Sequence, residues 1–230
     1  MSVARVRGVL FDLDGTLIDS APDLAGAANR LRAEHGMAPL PLADLRPMVG
    51  SGARGMVGVA FGVAPGEPRF EALRDAFLAH YDACLLEKTR PFDGVDAMLS
   101  TLEAAAIPWG IVTNKATRFT APIVAGLGLV QRAAVVVCGD TTPHSKPHPE
   151  PLWHAARAMG LAPEDMVYVG DDLRDAQAAK AAGMAMVVAT WGYLGLGESV
   201  HNWSADALVD APDQLSNWLR DRAHPGNRTG

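Results

Sequence analysis

Residues 11–20 read FDLDGTLIDS, and this stretch decides the fold of the chain. The apolar run at residues 7–11 has the pattern of a short buried strand, and a turn at Gly15 follows it. Residues two apart on an extended strand point the same way, so we expect Asp12 and Asp14 to project together from the strand's carboxyl end. Open α/β sheets bind their ligands at that end of the strands.

The two neighbouring carboxylates of Asp12 and Asp14 predict a cation-binding site. They repel each other unless a positive charge joins them. Magnesium suits the position, because it takes hard oxygen ligands and shares its coordination shell with substrate phosphate. One acid can then stay ionised as a nucleophile while the other carries a proton. The same residue types also form turns and cap helices, so this pair alone does not establish a catalytic site.

Two further segments place polar side chains where such a site needs them. Residues 109–115, WGIVTNK, end a predicted strand at Thr113 and Asn114, whose hydroxyl and amide groups can hydrogen-bond to a phosphoryl oxygen. Residues 145–151, SKPHPEP, hold Lys146 in a loop where three prolines forbid a helix. A lysine fixed there can offset the charge of an aspartate and a phosphate.

An acidic cluster follows another predicted strand at residues 167–175, VYVGDDLRD. Asp171 and Asp175 are four residues apart, so on helical geometry they would share a face and converge on one cation. Asp172 lies between them, and helix capping by acids explains some members of the cluster. The order of two acids, a hydroxyl, a lysine and an acidic cluster favours one site over four unrelated segments.

This set of motifs resembles the phosphatase branch of the haloacid dehalogenase superfamily, and the resemblance runs from about residue 6 to residue 218. It implies that Asp12 is the nucleophile that becomes an aspartyl phosphate. It also implies that Asp14 is the general acid and base. Thr113 and Lys146 would then bind the transferring phosphoryl group and neutralise its charge.

The same resemblance implies one Mg²⁺ ion as cofactor. Its expected ligands are the Asp12 carboxylate, the Asp14 backbone carbonyl and Asp171, with Asp172 and Asp175 as further or outer acids. Catalysis of phosphoryl transfer requires mainly that the reacting groups are positioned and that the negative charge distributed over the phosphoryl oxygens is stabilised. This set of groups supplies both.

Length and composition favour a modest soluble enzyme, and the resemblance implies a small phosphate monoester as its substrate. The chain has 230 residues and a net charge of -6 with scattered acids and bases, which argues against nucleic acid or an anionic membrane as partner. We see no cleavable signal in residues 1–10 and no apolar run of about 18 to 20 residues. Cys84 and Cys138 lie in apolar stretches, as expected of reduced core residues. We therefore expect a cytoplasmic monomer or homodimer.

The predicted fold class is α/β, a Rossmann-like doubly wound parallel sheet with an inserted all-helical cap. The strand–helix alternation stops after residue 18 and resumes near residue 91, and the part between reads as helices only. Residues 1–18 and 91–220 form the predicted catalytic core and residues 19–90 the predicted cap. The polar tail, residues 221–230, is predicted to be disordered.

Selectivity is expected to lie in the cap, where residues 49–54 read VGSGAR. The glycines Gly50 and Gly52, on either side of Ser51, allow close backbone approach to a substrate, and Arg54 can pair with a substrate carboxylate through two hydrogen bonds. Ser51 and Gly52 are therefore predicted substrate-binding residues together with Arg54 and Asn114. A solvated arginine at the start of a helix explains the same pattern equally well.

Two substrates fit the resemblance. Residues 170–183 and the cap resemble phosphoglycolate phosphatases, and 2-phosphoglycolate is the favoured substrate. Residues 51–119 also resemble the N-acetylmuramic acid 6-phosphate phosphatases of cell-wall recycling. Both ligands carry a carboxylate, so Arg54 does not separate them.

Three alternative functions share parts of this pattern. A β-phosphoglucomutase keeps both acids and stays open. A dehalogenase would not need an acid at the position of Asp14. A noncatalytic binding module would be expected to have lost one of Asp12, Asp14, Lys146 or Asp171, and all four are present.

Overall fold

Eight strands are present in the computed structural model, which describes residues 6–223. In chain order they are β1 (Gly8–Phe11), β2 (Ile18–Asp19), β3 (Arg90–Pro91), β4 (Trp109–Val112), β5 (Val136–Val137), β6 (Met166–Gly170), β7 (Ala185–Ala189) and β8 (Ala207–Val209). Six of them form one sheet in the order β5-β4-β1-β6-β7-β8, and every neighbouring pair in it is parallel. The strands β2 and β3 form a separate antiparallel pair.

Helices connect these strands. They are α1 (Ala21–Glu34), α2 (Leu42–Leu45), α3 (Gly52–Phe61), α4 (Phe70–Asp82), α5 (Val95–Ala104), α6 (Thr117–Gly126), α7 (Glu150–Met159), α8 (Leu173–Ala182) and α9 (Pro212–Ala223). A short 3₁₀ helix, Arg46–Ser51, leads into α3. Thus α1 to α4 all lie between β2 and β3, in residues 20–89, which are called the helical insert below.

The central strand β1 shows why the sheet is covered on both faces. All four of its residues are buried, as expected of a parallel strand that reads as a continuous apolar run. Val9 and Phe11 belong to a hydrophobic cluster shared with α1, α5 and α6, whereas Leu10 belongs to a second cluster shared with α7 and α8. Alternate side chains of one strand thus face two helical layers, which confirms the predicted doubly wound fold class.

The strand order places a ligand site at the carboxyl end of β1. Numbered along the chain, the six strands of the sheet run 3-2-1-4-5-6, so the direction of winding reverses beside β1. Open α/β sheets bind their ligands in the crevice at such a reversal point. The residues that follow β1 are Asp12 and Asp14, as the sequence predicts.

The chain end differs in one respect from the prediction. The last helix, α9, continues to Ala223, so residues 221–223 are helical where the tail is predicted to begin. Residues 224–230 of the predicted tail lie outside the described residues. Within residues 6–223, no helix combines the length and the apolar character needed to cross a membrane.

Candidate active site

Loops at the carboxyl ends of four strands bring the predicted site residues together. Asp12 follows β1, Thr113 follows β4, Lys146 lies between β5 and α7, and Asp171 follows β6. All four line one cavity of about 470 Å³. They meet because the carboxyl ends of parallel strands share one edge of the sheet.

Lys146 contacts two acids at the floor of this cavity. Its Nζ atom lies 2.9 Å from Asp12 Oδ1 and 2.7 Å from Asp175 Oδ1, and its side chain is 3% exposed. It also donates hydrogen bonds to the Tyr168 hydroxyl (2.6 Å) and the Val112 carbonyl (3.0 Å). Burial opposes the charge of this ammonium group, but the two carboxylates raise the pKa of Lys146 above its usual value. The lysine is therefore a fixed positive charge.

Three carboxylates form a compact cluster around this lysine. One oxygen each from Asp12, Asp171 and Asp175 lies within 4.8 Å of the others. Burial, with repulsion from the neighbouring acids, raises the pKa of Asp12 to about 7 and that of Asp171 well above its usual value. Lys146 therefore does not balance the cluster by itself.

The donor set of this cluster fits a hard divalent cation. The buried Asp12 Oδ1 accepts no hydrogen bond from any residue within 6–223, because the nearby Lys146 Nζ is at ion-pair distance but outside hydrogen-bonding geometry. Clustered carboxylate oxygens that repel each other are the ligands that magnesium and calcium take. The cluster can thus hold such an ion, and its members are Asp12, Asp171 and Asp175.

Neighbouring groups orient the Asp171 carboxylate. The Thr16 hydroxyl donates to Oδ1 at 3.0 Å, and the Tyr193 backbone N–H donates to Oδ2 at 2.7 Å. The turn at Gly15 passes so close that a Cβ atom there would overlap this carboxylate, and its φ of +85° is one that glycine adopts without strain. The Gly-Thr turn after β1 is therefore shaped around Asp171.

Asp14 has a separate set of partners. Its Oδ1 atom accepts a hydrogen bond from the Ser20 hydroxyl and lies 3.0 Å from Lys115 Nζ. Lys115 Nζ in turn donates to the Tyr81 hydroxyl at 2.9 Å. Burial opposes the charge of Lys115, but Asp14 and Tyr81 raise its pKa above the usual value. Each acid of the predicted pair therefore has its own lysine.

Asp172 lies outside the cluster of three acids, and its role as a further or outer acid of the metal site stays a prediction. Its oxygens lie 2.8 Å from the Arg174 guanidinium, and it caps α8 in a reciprocal capping box with Asp175. Burial opposes its charge, but the hydrogen bonds from Arg174 hold the pKa of Asp172 below its usual value. The carboxylate is therefore committed to the arginine.

The convergence of Asp171 and Asp175 also has a different origin from the predicted one. Because α8 begins at Leu173, Asp171 precedes the helix and does not share a helical face with Asp175. The two carboxylates meet because one ends a strand and the other lies in the first helical turn.

The predicted substrate-binding residues divide into two groups. Ser51 and Gly52 line the cavity, but Arg54 is exposed and is not among the lining residues. The Asn114 amide exchanges two hydrogen bonds with the Lys146 backbone, at 2.8 and 2.9 Å. Asn114 therefore fixes the lysine loop to β4 and is committed to that contact.

Sequence reasoning missed five polar residues that line or support the cavity. A hydroxyl inside the buried run of β6 was the available signal for Tyr168, and the position directly after Thr-Asn was the signal for Lys115. Tyr81 contacts Lys115 and Arg174 contacts the Gly50 carbonyl, so both contacts join distant segments, which no local pattern indicates. Arg118 lines the cavity from the start of α6, and no local pattern indicates that position.

Comparisons with known proteins agree with the fold and with the predicted family. The model of the haloacid dehalogenase-like hydrolase family matches residues 9–189. A phosphoglycolate phosphatase of Xanthomonas campestris pv. campestris is 49% identical over 209 residues, which cover 91% of this chain and 94% of the relative. An N-acetylmuramic acid 6-phosphate phosphatase of Pseudomonas aeruginosa is 41% identical over 223 residues, covering 97% and 98%.

A solved structure shows the same fold. The crystal structure of a predicted phosphoglycolate phosphatase from Haemophilus somnus superposes with a TM-score of 0.82 at 27% identity, covering 93% of this chain and 97% of that chain. The predicted family resemblance is thus confirmed along most of the sequence. The chain belongs to the haloacid dehalogenase-like hydrolase family.

Proposed function

We propose that the protein is a Mg²⁺-dependent phosphomonoester hydrolase that works through an aspartyl phosphate at Asp12. One observation carries the proposal: a buried lysine contacts two of three clustered acids at the end of the central strand. Phosphoryl transfer requires positioned charge more than covalent help from several side chains. This cavity supplies a carboxylate nucleophile beside a fixed positive charge.

The residues divide the chemistry between two steps. The Asp12 carboxylate attacks phosphorus, and the bond from phosphorus to the leaving oxygen breaks as Asp14 gives that oxygen its proton. Asp14 then takes a proton from water, whose oxygen attacks phosphorus and displaces the Asp12 carboxylate. Free phosphate leaves, and both acids return to their initial states.

The remaining groups stabilise negative charge. Lys146 and Thr113 bind the phosphoryl oxygens, since both line the cavity beside Asp12. Asp12 and Asp171 would hold the Mg²⁺ ion, with Asp175 beside them, and the bound ion supplies positive charge at the phosphoryl oxygens. The Asp14 backbone carbonyl is a further proposed ligand of the Mg²⁺ ion.

We propose 2-phosphoglycolate as the substrate, supported by relatives of that name at up to 49% identity. The size of the cavity favours a second candidate, N-acetylmuramic acid 6-phosphate. A two-carbon acid fills little of about 470 Å³, a volume in the range that holds much larger ligands. Part of the wall is also apolar, from Leu24, Phe77 and Phe119.

Phosphate release from these two esters tests the proposal. We expect Mg²⁺-dependent release that falls by about a hundredfold or more after chelation, because the acidic cluster then lacks its cation. A preference of about a hundredfold, worth about 2.7 kcal/mol in the transition state, identifies the substrate. Comparable slow release from both esters indicates a third phosphate monoester. The absence of release with Mg²⁺, or isomerisation of a sugar phosphate instead, would contradict the proposal.

Both candidate substrates carry a carboxylate, and Arg118 is the cavity residue that we propose binds it. Lys115, Lys146 and Arg174 also line the cavity, but each is paired with an aspartate. Arg118 has no hydrogen bond or ion pair with another described residue, and its guanidinium lies 4.2 Å from the Phe119 ring centroid. A stacked guanidinium keeps its N–H donors free for a carboxylate.

The substitution Arg118→Ala is expected to lower kcat/KM for 2-phosphoglycolate by about 10- to 100-fold, the usual cost of a lost charged hydrogen bond. Hydrolysis of ethyl phosphate, which lacks the carboxylate, should change by less than about twofold. Arg54→Ala is the matched control, since Arg54 is exposed outside the cavity. Equal effects of Arg118→Ala on both esters would exclude a carboxylate-binding role.

A further inference from the structure

Lys115 joins the predicted general acid to the helical insert. Its Nζ atom lies 3.0 Å from Asp14 Oδ1, donates to the Tyr81 hydroxyl at 2.9 Å, and lies 4.8 Å from the Tyr81 ring centroid. Its side chain is 9% exposed. Asp14 lies just after β1, whereas Tyr81 lies on α4 of the insert. A single buried ammonium group therefore connects the two parts of the chain.

The contacts of Asp14 fix one of its oxygens and leave the other available. Both partners, the Ser20 hydroxyl and the Lys115 ammonium, are on Oδ1. The Oδ2 atom accepts no hydrogen bond from the described part of the chain. A carboxylate held through one oxygen has a defined orientation for the second. Oδ2 is thus the oxygen that can carry a proton to a leaving group.

Tyr81 is itself firmly held. It is 2% exposed, its ring is parallel to that of Phe77 at 6.5 Å, and it lies 5.3 Å from the ring of Phe119 on α6. Burial raises the pKa of Tyr81 to about 12, so its hydroxyl is neutral and accepts the hydrogen bond from Lys115. The position of the ammonium group therefore depends on where the insert packs against the core.

Because Lys115 is buried, its ammonium group must be paired with an acid. A buried charge is costly unless it is paired and hydrogen-bonded, and its ion-pair partner in the cavity is Asp14. Two other acids that line the cavity, Asp12 and Asp175, are already paired with Lys146. Removing Lys115 would leave Asp14 held by Ser20 alone.

We infer that Lys115 and Tyr81 are positioning residues for Asp14, so that the helical insert completes the acid–base group of the core. The inference rests on the proposed function, because it assumes that Asp14 gives a proton to the leaving oxygen. An alkoxide leaving group needs that proton, whereas 4-nitrophenolate leaves without it. Misplacing Asp14 therefore slows the phosphorylation of Asp12 selectively for alkyl esters, whereas the later attack of water slows equally for both kinds of ester.

The test compares kcat/KM, which reports the steps up to release of the leaving group, for two esters: the alkyl phosphate that the wild type hydrolyses fastest and 4-nitrophenyl phosphate. Lys115→Met should lower kcat/KM on the alkyl ester by about 100-fold, the lower end of general acid catalysis, and on the aryl ester by less than about fivefold. Tyr81→Phe, which keeps the ring and removes only the hydroxyl, should show the same selectivity at about 5- to 10-fold. Lys180→Met on the exposed side of α8 is the control and should change neither.

Each other outcome overturns the inference. Equal losses of kcat/KM on the two esters would show a structural role only, and unchanged kcat/KM on both would show that Asp14 does not need Lys115. If Lys115→Met fails to fold, the losses that Tyr81→Phe causes on the two esters decide whether the inference holds. A wild-type protein that hydrolyses neither ester with Mg²⁺ contradicts the proposed function first, and the inference with it.

Discussion

Asp12→Asn is expected to lower kcat for phosphate release by about 10⁴-fold or more, the scale of losing a covalent nucleophile. The amide has nearly the shape of the carboxylate but cannot attack phosphorus. It also lacks the negative charge that a cation needs at this position. Steady-state kinetics with saturating Mg²⁺ and substrate measures the effect.

The same variant should fold as the wild type does. Asp12 lies among the clustered acids, so the amide relieves repulsion with Asp171 while Lys146 keeps its contact with Asp175. We expect a melting temperature within about 4 °C of the wild type without metal, because the lost and relieved interactions oppose each other. Asp44→Asn, at an exposed position, is the matched control. Turnover within tenfold of the wild type would contradict the role of Asp12.

Lys146→Met is expected to lower both kcat and stability. The kcat should fall by about 10³-fold, because the ammonium group no longer neutralises the phosphoryl oxygens. The free energy of unfolding should fall by about 3–5 kcal/mol, since Asp12 and Asp175 lose their shared cation inside the protein. Chemical denaturation at neutral pH without metal measures the second effect.

A double variant separates these two roles of the lysine. Lys146→Met combined with Asp175→Asn removes both charges of the better buried ion pair, so part of the lost stability should return. Catalysis should stay low, because no cation replaces the lysine beside the phosphoryl group. Lys180→Met controls for loss of a surface charge. If the double variant recovered turnover as well as stability, Lys146 would have only a structural role.

The sequence predicts the fold through its buried strands. Parallel strands covered on both faces read as short apolar runs, so β1, β4 and β6 are visible in the sequence together with the polar residues that follow them. The spatial order of the strands is set by which helix layer covers each connection, and no local pattern gives it. The short edge strand β8, three residues long, has too little periodicity to predict.

The site is predictable where its residues follow strands and unpredictable where the insert meets the core. Asp12, Thr113 and Asp171 each follow a strand, and the structure brings them to one cavity. The pairing of Lys115 with Tyr81 spans 34 residues and depends on how α4 packs. The exposed position of Arg54 also depends on how the start of α3 is oriented, which periodicity within the helix does not reveal.

The most direct test of the covalent mechanism uses Asp14→Asn with 4-nitrophenyl phosphate and Mg²⁺. The aryl ester can still phosphorylate Asp12 without a proton donor, but water then lacks its base. We predict a burst of about one equivalent of 4-nitrophenol per protein, no matching phosphate, and a phosphoryl group on the peptide that contains Asp12. Release of 4-nitrophenol and phosphate in equal amounts from the first turnover, with no phosphorylated peptide, would contradict the account.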